Sequence, residues 1–339
     1  MPHEFMVTHP HNIEGRNLWT AASYPDPRKW VRQLTSEHIE EIDAAVNDTI
    51  ARGKRFDEIS KEDNFVLPKT SKLLCDTFDD LENGGGFAVI GGFPVDRYSY
   101  DETLIAYAGL STHLGVLVDQ SYDGAMKVDV ANFGLPYNKN VRGYHSNALL
   151  PFHTDGACFT GLLCVGEAAE GGESVLVSSS ALHNIVYRER PDLYEILSRG
   201  FHHHRRGQHA TGESPVSPEP IPVFRFYNGL LQCNYDRNQS LWAREEGIKL
   251  DPIQIEAMDY LDSLMARPDL QLRMEMRKGD IQYVNNFLVL HSRSEYLDSP
   301  AKKRHLIRLW IDVPNGKRAG VTTRDLYVRN TRLKQKSMA

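Results

Sequence analysis

The sequence lacks the features that mark several classes of protein. Its 339 residues contain no apolar run close to the roughly 18 residues that span a membrane. The N-terminal stretch MPHEFMVTHPHNIEG has neither the basic segment nor the apolar core of a secretory signal peptide. Basic residues number 39 against 45 acidic ones, whereas nucleic-acid-binding proteins usually carry a basic surplus. We therefore expect a soluble, cytoplasmic protein with neither membrane nor nucleic-acid partners.

Cysteine is also scarce. The four cysteines, Cys75, Cys158, Cys164 and Cys233, form no C-x-x-C pair and are too sparse for a disulfide scaffold. We expect small, buried thiols at these positions. Histidine is more abundant, with 14 residues, and this raises the question of which histidines converge on a metal ion.

Short strand-like segments separated by turns dominate the sequence after residue 116. They lie at 126–130, 161–165, 174–177, 223–227, 230–234, 281–284, 289–290 and 306–312. Helical patterns flank them at 36–50, 71–81, 101–114 and from 252 onward. This order predicts a mainly β fold with flanking helices, a sandwich or a barrel. Because no repeat or Gly/Ser linker interrupts it, we expect one domain at 66–315, with an N-terminal arm and helix at 1–65 and a basic C-terminal tail at 316–339.

The sharpest local motif is His153-Thr154-Asp155. Residues two apart in an extended segment point to the same face, so His153 and Asp155 can reach one point in space. With a second imidazole they would complete the 2-His-1-carboxylate triad that is typical of non-haem Fe(II) oxygenases. A His-x-Asp motif also occurs often by chance, and an ordinary surface pair is the alternative interpretation.

A candidate for the second imidazole lies near the C-terminal end. His291 follows the strand-like segment 281–284 and a further apolar stretch, which places it near a strand end in a β core. Arg304 and Arg308 then stand at the start of the next predicted strand. An arginine beside an open metal site can bind the carboxylate of an organic acid through two parallel hydrogen bonds.

Taken in order, these motifs resemble the taurine dioxygenase/γ-butyrobetaine hydroxylase (TauD/TfdA) family of Fe(II)- and 2-oxoglutarate-dependent dioxygenases. The matching pieces are G-G-F-A-V-I-G-G-F-P at 85–94, H-T-D at 153–155, E-G-G-E-S at 170–174, G-D at 279–280, N-N at 285–286 before His291, and R-x-x-x-R at 304–308. Together they cover residues 84 to 313. Each motif is common by itself, whereas the ordered set is specific.

The resemblance implies a double-stranded β-helix, a jelly roll of the clavaminate synthase-like type. It implies His153, Asp155 and His291 as catalytic Fe(II) ligands. It also implies Arg304 as the residue that binds the distal carboxylate of 2-oxoglutarate, assisted by the Ser174 hydroxyl. In some family members the position of Arg308 holds an anionic group of the substrate.

Two more substrate candidates follow from proximity in the sequence. Tyr144 and Asn147 precede the H-T-D motif by only a few residues, so we expect them near the iron. An ordinary turn residue is the alternative interpretation of Asn147.

The expected activity is oxidation of a C–H bond in a small carboxylate- or amino-acid-like substrate, with release of succinate and CO₂. Hydroxylation is the default outcome, and desaturation, cyclisation and C–N cleavage stay open. One alternative is a cupin-like metal-dependent hydrolase or isomerase that does not use 2-oxoglutarate. A second is a non-catalytic small-molecule-binding protein of the same fold. The intact triad and Arg304 favour the oxygenase, and the sequence leaves a homo-oligomer open.

Two cationic segments have no assigned role. The run at 202–206, His-His-His-Arg-Arg, invites a metal interpretation, but consecutive residues do not converge on one ion without a sharp turn. A cationic strand or loop is the better interpretation, and a position at the border of the active site stays open. The basic tail is interpreted as a solvated segment, with a nucleic-acid-binding patch as the alternative.

Overall fold

The computed structural model describes residues 11–26, 28, 30–62 and 65–318. The first ten residues of the predicted arm and residues 319–339 of the predicted tail lie outside this range. Fifteen strands occur in the described part of the chain: β1 (Val31–Gln33), β2 (Phe87–Gly91), β3 (Val116–Val118), β4 (Lys127–Ala131), β5 (Leu150–His153), β6 (Phe159–Gly166), β7 (Glu170–Gly171), β8 (Ser174–Ser178), β9 (Phe224–Tyr227), β10 (Leu230–Cys233), β11 (Leu272–Met274), β12 (Ile281–Asn285), β13 (Val289–Arg293), β14 (Tyr296–Leu297) and β15 (His305–Asp312).

Helices flank these strands. The α-helices are α1 (Ser36–Ala51), α2 (Ser71–Glu82), α3 (Tyr100–Thr112), α4 (Ser179–Glu189), α5 (Pro191–Arg199), α6 (Arg237–Trp242) and α7 (Pro252–Met265). Short 3-10 helices lie at Ala21–Ser23, Phe56–Glu58, Val95–Arg97, Gly143–His145 and Ala243–Glu246. No helix in the described ranges is long and apolar enough to cross a membrane.

Two sheets form the body of the fold. The larger has the order β1-β2-β12-β6-β15-β3, and β4 also pairs with β15. The smaller has the order β11-β8-β13-β5. Strands β1 and β2 run parallel, whereas the strand pairs of the smaller sheet are antiparallel. The predicted mainly β architecture with flanking helices is confirmed, and its two sheets are those of a jelly roll.

Strand β15 explains how the fold separates a core from a pocket. Ile307, Leu309 and Ile311 are fully buried in a cluster that includes residues of α1, α2 and α3. Burying each such side chain stabilises the fold by about 1.5–3 kcal/mol. The intervening residues, among them Arg308 and Trp310, line a pocket on the opposite face of the strand. The two-residue period of a strand therefore assigns odd positions to packing and even positions to the pocket.

A second group of helices packs on the smaller sheet. Leu182 of α4, Leu197 of α5 and Met258 of α7 share a buried cluster with Val177 of β8 and Leu290 of β13. Helix α7 begins as its sequence predicts, because Pro252 occupies the first turn and Asp251 and Gln254 form a capping box. Each sheet therefore has its own helical layer, and the pocket is lined by residues from both sheets.

Candidate active site

Two histidines on adjacent strands form the centre of the site. Strands β5 and β13 are antiparallel, and His153 lies directly opposite His291 in their register. The two imidazole centroids are 4.4 Å apart. Pairs opposite each other in an antiparallel sheet bring their side chains close together on one face. The register therefore explains how two residues so distant in sequence come to share one site.

Asp155 completes the group. The Nε2 atom of His153 lies 4.0 Å from Oδ1 of Asp155, and the Nε2 atom of His291 lies 3.7 Å from Oδ2. One potential ligand atom from each residue lies within 4.8 Å of the other two. The three residues that the sequence analysis singled out as metal ligands are thus brought together at one point.

Neighbouring polar groups fix the Asp155 carboxylate. Thr160 on β6 donates its hydroxyl hydrogen to Oδ2 of Asp155 at 2.8 Å. Asn286, just after β12, accepts the Asp155 backbone N–H at 3.0 Å and donates to the Thr160 hydroxyl at 3.0 Å. Because these groups are buried, each hydrogen bond holds the carboxylate in one orientation.

The protonation of the triad suits a metal cation. Nδ1 of His153 is 2.8 Å from the Pro151 carbonyl, an acceptor for the Nδ1–H group, and Nε2 is the nitrogen that faces Asp155. Burial and the charge of His153 lower the pKa of His291 to about 3, so this imidazole is neutral. Burial raises the pKa of Asp155, but the charges of Arg308, His291 and His153 outweigh it and hold that pKa below its usual range. Two imidazoles and one carboxylate fit a divalent transition metal with open coordination positions.

Arg308 touches the triad directly. Its Nη1 atom donates to Oδ1 and Oδ2 of Asp155 at 3.1 and 3.3 Å, and its Nε atom donates to Oε1 of Gln120 at 2.7 Å. The guanidinium carbon lies 5.0 Å from the centroid of the Tyr144 ring and 5.1 Å from that of Trp310. Tyr144, a predicted substrate residue, therefore lies in the pocket beside Arg308.

Arg304 supplies a buried and uncompensated cation at the same pocket. It is 6% exposed, and its Nη1 atom has no hydrogen-bond partner. Among the described residues no carboxylate forms an ion pair with its guanidinium, and burial lowers its pKa. An unpaired charge in such surroundings costs several kcal/mol unless an anion compensates it. A carboxylate-bearing ligand fits that requirement.

Ser174 and Arg293 lie in the same pocket as Arg304. The Ser174 hydroxyl donates to Oε1 of Gln282 at 2.9 Å. Arg293 is 5% exposed, its Nη1 atom has no hydrogen-bond partner, and burial together with the charge of Arg304 lowers its pKa to about 10. Neither Arg293 nor Gln282 belongs to a motif that sequence reasoning had used. Arg293 follows His291 by two residues. Because residues two apart in a strand face the same side, this spacing could have indicated that Arg293 faces the pocket.

Asn147 is the one predicted site residue that does not line the pocket. Its side-chain amide donates to the Tyr296 carbonyl at 3.0 Å, and its own backbone carbonyl accepts from the Tyr296 N–H at 3.1 Å. These two bonds fasten the segment before β5 to β14. The contacts are those of a structural residue.

The histidine run at 202–206 divides into buried histidines and pocket arginines. Burial lowers the pKa of His203 to about 4, and His204 faces Glu246 at 3.4 Å. Among the described residues the group with metal-ligand geometry is the triad, and it includes none of these three histidines. Arg205 and Arg206, in contrast, line the same pocket as the triad.

Known proteins share both sequence and fold with this chain. FR-33289 synthase of Streptomyces rubellomurinus is 28% identical over 313 residues, which cover 90% of this chain and 91% of that protein. The taurine hydroxylase-like protein SAT17 of Stachybotrys chartarum is 27% identical over 309 residues, covering 86% and 77% respectively.

Solved structures show the same fold. An asparagine oxygenase in complex with Fe(II), 2S,3S-3-hydroxyasparagine and succinate superposes with a TM-score of 0.65 at 16% identity, over 83% of this chain and 93% of that one. The non-haem iron oxygenase OrfP, in complex with Fe and α-ketoglutaric acid, gives a TM-score of 0.60 at 13% identity, also over 83% and 93%.

A family model confirms the family membership that the ordered motifs predicted. The model of the taurine catabolism dioxygenase TauD, TfdA family matches residues 51–310, which include the H-T-D motif, His291 and both arginines. The chain therefore belongs to the taurine catabolism dioxygenase TauD, TfdA family.

Proposed function

We propose that this protein is an Fe(II)- and 2-oxoglutarate-dependent dioxygenase that oxidises a C–H bond of a small carboxylate- or amino-acid-like substrate. One observation carries the proposal. The converging side chains of His153, Asp155 and His291 share a pocket with Arg304, a buried guanidinium that lacks an anionic partner. The pocket thus has a place for a metal and a place for an organic acid.

Each residue has a defined task in this scheme. His153, Asp155 and His291 would hold Fe(II), which together with O₂ and 2-oxoglutarate supplies the oxidising power and yields succinate and CO₂. Arg304 binds the distal carboxylate of 2-oxoglutarate by charge-assisted hydrogen bonds. Ser174 lines the same pocket, where its hydroxyl oxygen can accept or relay a hydrogen bond.

Arg308 and Tyr144 orient the substrate. Arg308 lies against Asp155, so an anionic group bound to its guanidinium brings the attached carbon chain close to the metal position. Tyr144 and Trp310 flank the guanidinium and restrict its movement. This positioning decides which C–H bond is oxidised.

The names of the relatives support the substrate class. The solved structures with this fold include an asparagine oxygenase with hydroxyasparagine and OrfP with hydroxylated L-Arg, both of which contain amino-acid products. One relative in sequence is described as taurine hydroxylase-like. Hydroxylation of a small amino-acid-like acid is accordingly the reaction we propose first.

The rival functions explain less of the site. A cupin-like hydrolase or isomerase would use the triad but would leave the buried charge of Arg304 without a partner. A non-catalytic binding protein would not need three metal-ligand side chains held by Thr160 and Asn286. Both rivals predict that 2-oxoglutarate is not consumed.

We further propose that residues 66–315 form a single dioxygenase domain. His153 and His291 share one site, so no domain boundary can separate them. Residues 1–65 would contribute an arm and a helix that pack on this domain, and residues 316–339 a basic tail. With a net charge of −6 we also propose a cytoplasmic protein whose partners are small molecules rather than nucleic acid or membrane.

Succinate formation tests the proposal. The purified protein is supplied with Fe(II), ascorbate, O₂ and 2-oxoglutarate, with and without a panel of amino acids and related organic acids. We expect slow succinate formation alone and faster formation with a substrate. Asp155→Ala should abolish both and weaken Co(II) binding, whereas the exposed Asp259→Ala should change neither. Absence of succinate, together with unchanged Co(II) binding by Asp155→Ala, would overturn the proposed function.

A further inference from the structure

Arg206 is held rigidly at the pocket with part of its guanidinium left free. Its Nε atom donates to the backbone carbonyl of Lys139 at 3.3 Å. Its Nη2 atom donates to the backbone carbonyls of Asn138 at 3.0 Å and Val141 at 2.7 Å. The guanidinium carbon also lies 4.8 Å from the Trp242 ring centroid. Nη1, with its two N–H groups, has no partner among the described residues. No carboxylate among the described residues forms an ion pair with the Arg206 guanidinium.

The backbone at Arg206 is unusual as well. Its φ is +51°, a left-handed conformation that side chains with a Cβ rarely adopt. Residues with strained backbones persist where the surrounding structure fixes them, and they cluster at binding sites. The loop thus presents the Arg206 charge to the pocket at a cost to its own conformation.

A second unpaired arginine lies beside it. Arg142 lines the same pocket, and within the described part of the chain its guanidinium makes no hydrogen bond or ion pair. Arg142 directly follows Val141, whose carbonyl accepts a hydrogen bond from Nη2 of Arg206 at 2.7 Å. Burial and the charge of Arg142 lower the pKa of Arg206. Neighbouring like charges repel, and an anion bound by both removes that repulsion.

This pair of arginines lies close to the reaction centre. The Tyr144 ring lies beside the Arg308 guanidinium, and the Tyr144 phenol also acts on the pKa of Arg206. The first anion site, at Arg308, and the pair formed by Arg142 and Arg206 line one pocket together with Tyr144.

The charge of the whole pocket agrees with a substrate of more than one negative charge. Among the described residues its lining includes three aspartates but no lysine or glutamate. Six arginines line it: Arg142, Arg205, Arg206, Arg293, Arg304 and Arg308. Arg205 is neutralised by Glu213 at 2.9 Å. The other five arginines face three aspartates, and a bound divalent metal and dianionic 2-oxoglutarate would offset each other. The pocket would therefore keep a surplus of two positive charges. A zwitterionic amino acid would leave that surplus uncompensated.

We propose that Arg142 and Arg206 bind a second oxyanion group of the substrate, while Arg308 binds the first. The substrate is then a small organic acid with two separated anionic groups. This inference rests on the proposed function and specifies its substrate class. It also gives a role to the arginine end of the cationic run at 202–206.

A binding experiment tests the site without turnover. The full chain is loaded with Co(II) and saturated with 2-oxoglutarate, and its thermal unfolding midpoint is followed as inorganic phosphate or acetate is added. Phosphate should stabilise the wild type saturably and more strongly than acetate. Arg142→Gln should raise the half-saturating phosphate concentration at least tenfold, as should Arg206→Gln, while the exposed Arg199→Gln should match the wild type.

Arg142→Gln keeps this test interpretable, because the Arg142 guanidinium makes no hydrogen bond or ion pair with a described residue that the fold could lose. Arg206→Lys, which retains the charge, should bind phosphate better than Arg206→Gln. Equal half-saturating concentrations in the wild type and in both glutamine variants would overturn the inference. So would a phosphate effect that Arg308→Gln alone removes.

Matched substrates separate this inference from the proposed function. Succinate formation is measured with L-serine against L-phosphoserine and with L-asparagine against L-aspartate, pairs that differ by one anionic group. The member with the additional anionic group should stimulate turnover at least tenfold more strongly, and Arg142→Gln should remove that preference. A wild type that consumes 2-oxoglutarate without preferring either L-phosphoserine or L-aspartate contradicts the inference alone. A wild type that never consumes 2-oxoglutarate contradicts the proposed function, while loss of phosphate binding in the variants still supports the oxyanion site.

Discussion

A single nitrogen of Arg308 donates to both carboxylate oxygens of Asp155, at 3.1 and 3.3 Å. The candidate metal ligand is therefore also the partner of the candidate substrate-binding arginine. Any cation that enters the triad shares the Asp155 carboxylate with a fixed positive charge. An anion that binds Arg308 reduces that competition, and substrate binding and metal binding should consequently be coupled.

Replacing Arg308 tests this coupling. We expect Arg308→Gln to bind Co(II) at least fivefold more tightly than the wild type, because the variant removes a positive charge beside the metal position. Two unit charges 4 Å apart interact by about 4 kcal/mol at an effective dielectric constant near 20, so a fivefold change is a conservative expectation. The Co(II) absorption titration measures it, and Arg199→Gln is the control. Weaker Co(II) binding by Arg308→Gln would show that the arginine supports the site instead of competing with it.

Thr160 should act on the metal site through Asp155. Thr160→Val keeps the shape of the side chain but removes the hydroxyl that donates to Oδ2, so the carboxylate loses an orienting bond. Loss of such a supporting group typically costs about 10–100-fold in metal affinity. We expect a similar loss of Co(II) affinity.

The control for this substitution is Thr112→Val, which removes a hydroxyl bonded to the Gly109 carbonyl within α3. It should affect stability but leave Co(II) affinity unchanged. If the two valine variants bind Co(II) alike, the orienting role of Thr160 is wrong.

Arg304 should determine the requirement for 2-oxoglutarate. A charge-assisted hydrogen bond is worth about 1.5–3 kcal/mol, so Arg304→Gln should raise the half-saturating 2-oxoglutarate concentration about 10–150-fold. Succinate formation at varied 2-oxoglutarate measures this value. Arg304→Lys should raise that concentration less than Arg304→Gln does, and the exposed Arg273→Gln should leave it at the wild-type value. An unchanged 2-oxoglutarate requirement in Arg304→Gln would assign the carboxylate to another cation. Arg293 is a candidate, because its guanidinium and that of Arg304 both lie over the Tyr296 ring.

Acid should destabilise the fold through buried histidines. Burial lowers the pKa of both His183 and His203 to about 4, below the value of roughly 6.5 expected in the unfolded chain. The unfolded chain thus takes up protons first as the pH falls. The stabilisation is complete above pH 6.5, declines between about pH 6.5 and 4, and amounts to on the order of 3 kcal/mol for each residue.

Urea unfolding at pH 7.5, 5.5 and 4.5 checks this expectation in the metal-free protein. His203→Asn should reduce the dependence of the unfolding free energy on pH, whereas Arg199→Gln, at an exposed position in α5, should not. A slope that is the same in both variants would show that His203 does not titrate in this range.

The metal triad could be anticipated from sequence because its geometry is local. Alternation along an extended segment puts His153 and Asp155 on one face whatever the rest of the fold does. Strand β5, which carries His153, was harder to see, because Pro151 interrupts its four residues. The structure places β5 at the edge of the smaller sheet, where a residue without an N–H is tolerated.

The remainder of the pocket depends on contacts that no local pattern specifies. Tyr144 and Asn147 both precede the H-T-D motif by less than ten residues, yet Tyr144 lies beside Arg308 and Asn147 bonds to β14. Gln120 and Thr160 belong to no motif. Their roles arise only because β15 brings Arg308 to Gln120 and β6 brings Thr160 to Asp155. Long-range pairing therefore decides which polar residues serve the site.

The alternation along β15 also limits how this enzyme can change. Arg304, Leu306, Arg308 and Trp310 line the pocket, while Ile307, Leu309 and Ile311 pack among the helices. A new substrate preference can be introduced by substitution at the even positions without disturbing the core. Loss or gain of one residue within the strand would exchange the two sets, turning arginines towards the helices and leucines towards the metal. During evolution this strand can therefore accept substitutions of single residues but not the insertion or deletion of a residue.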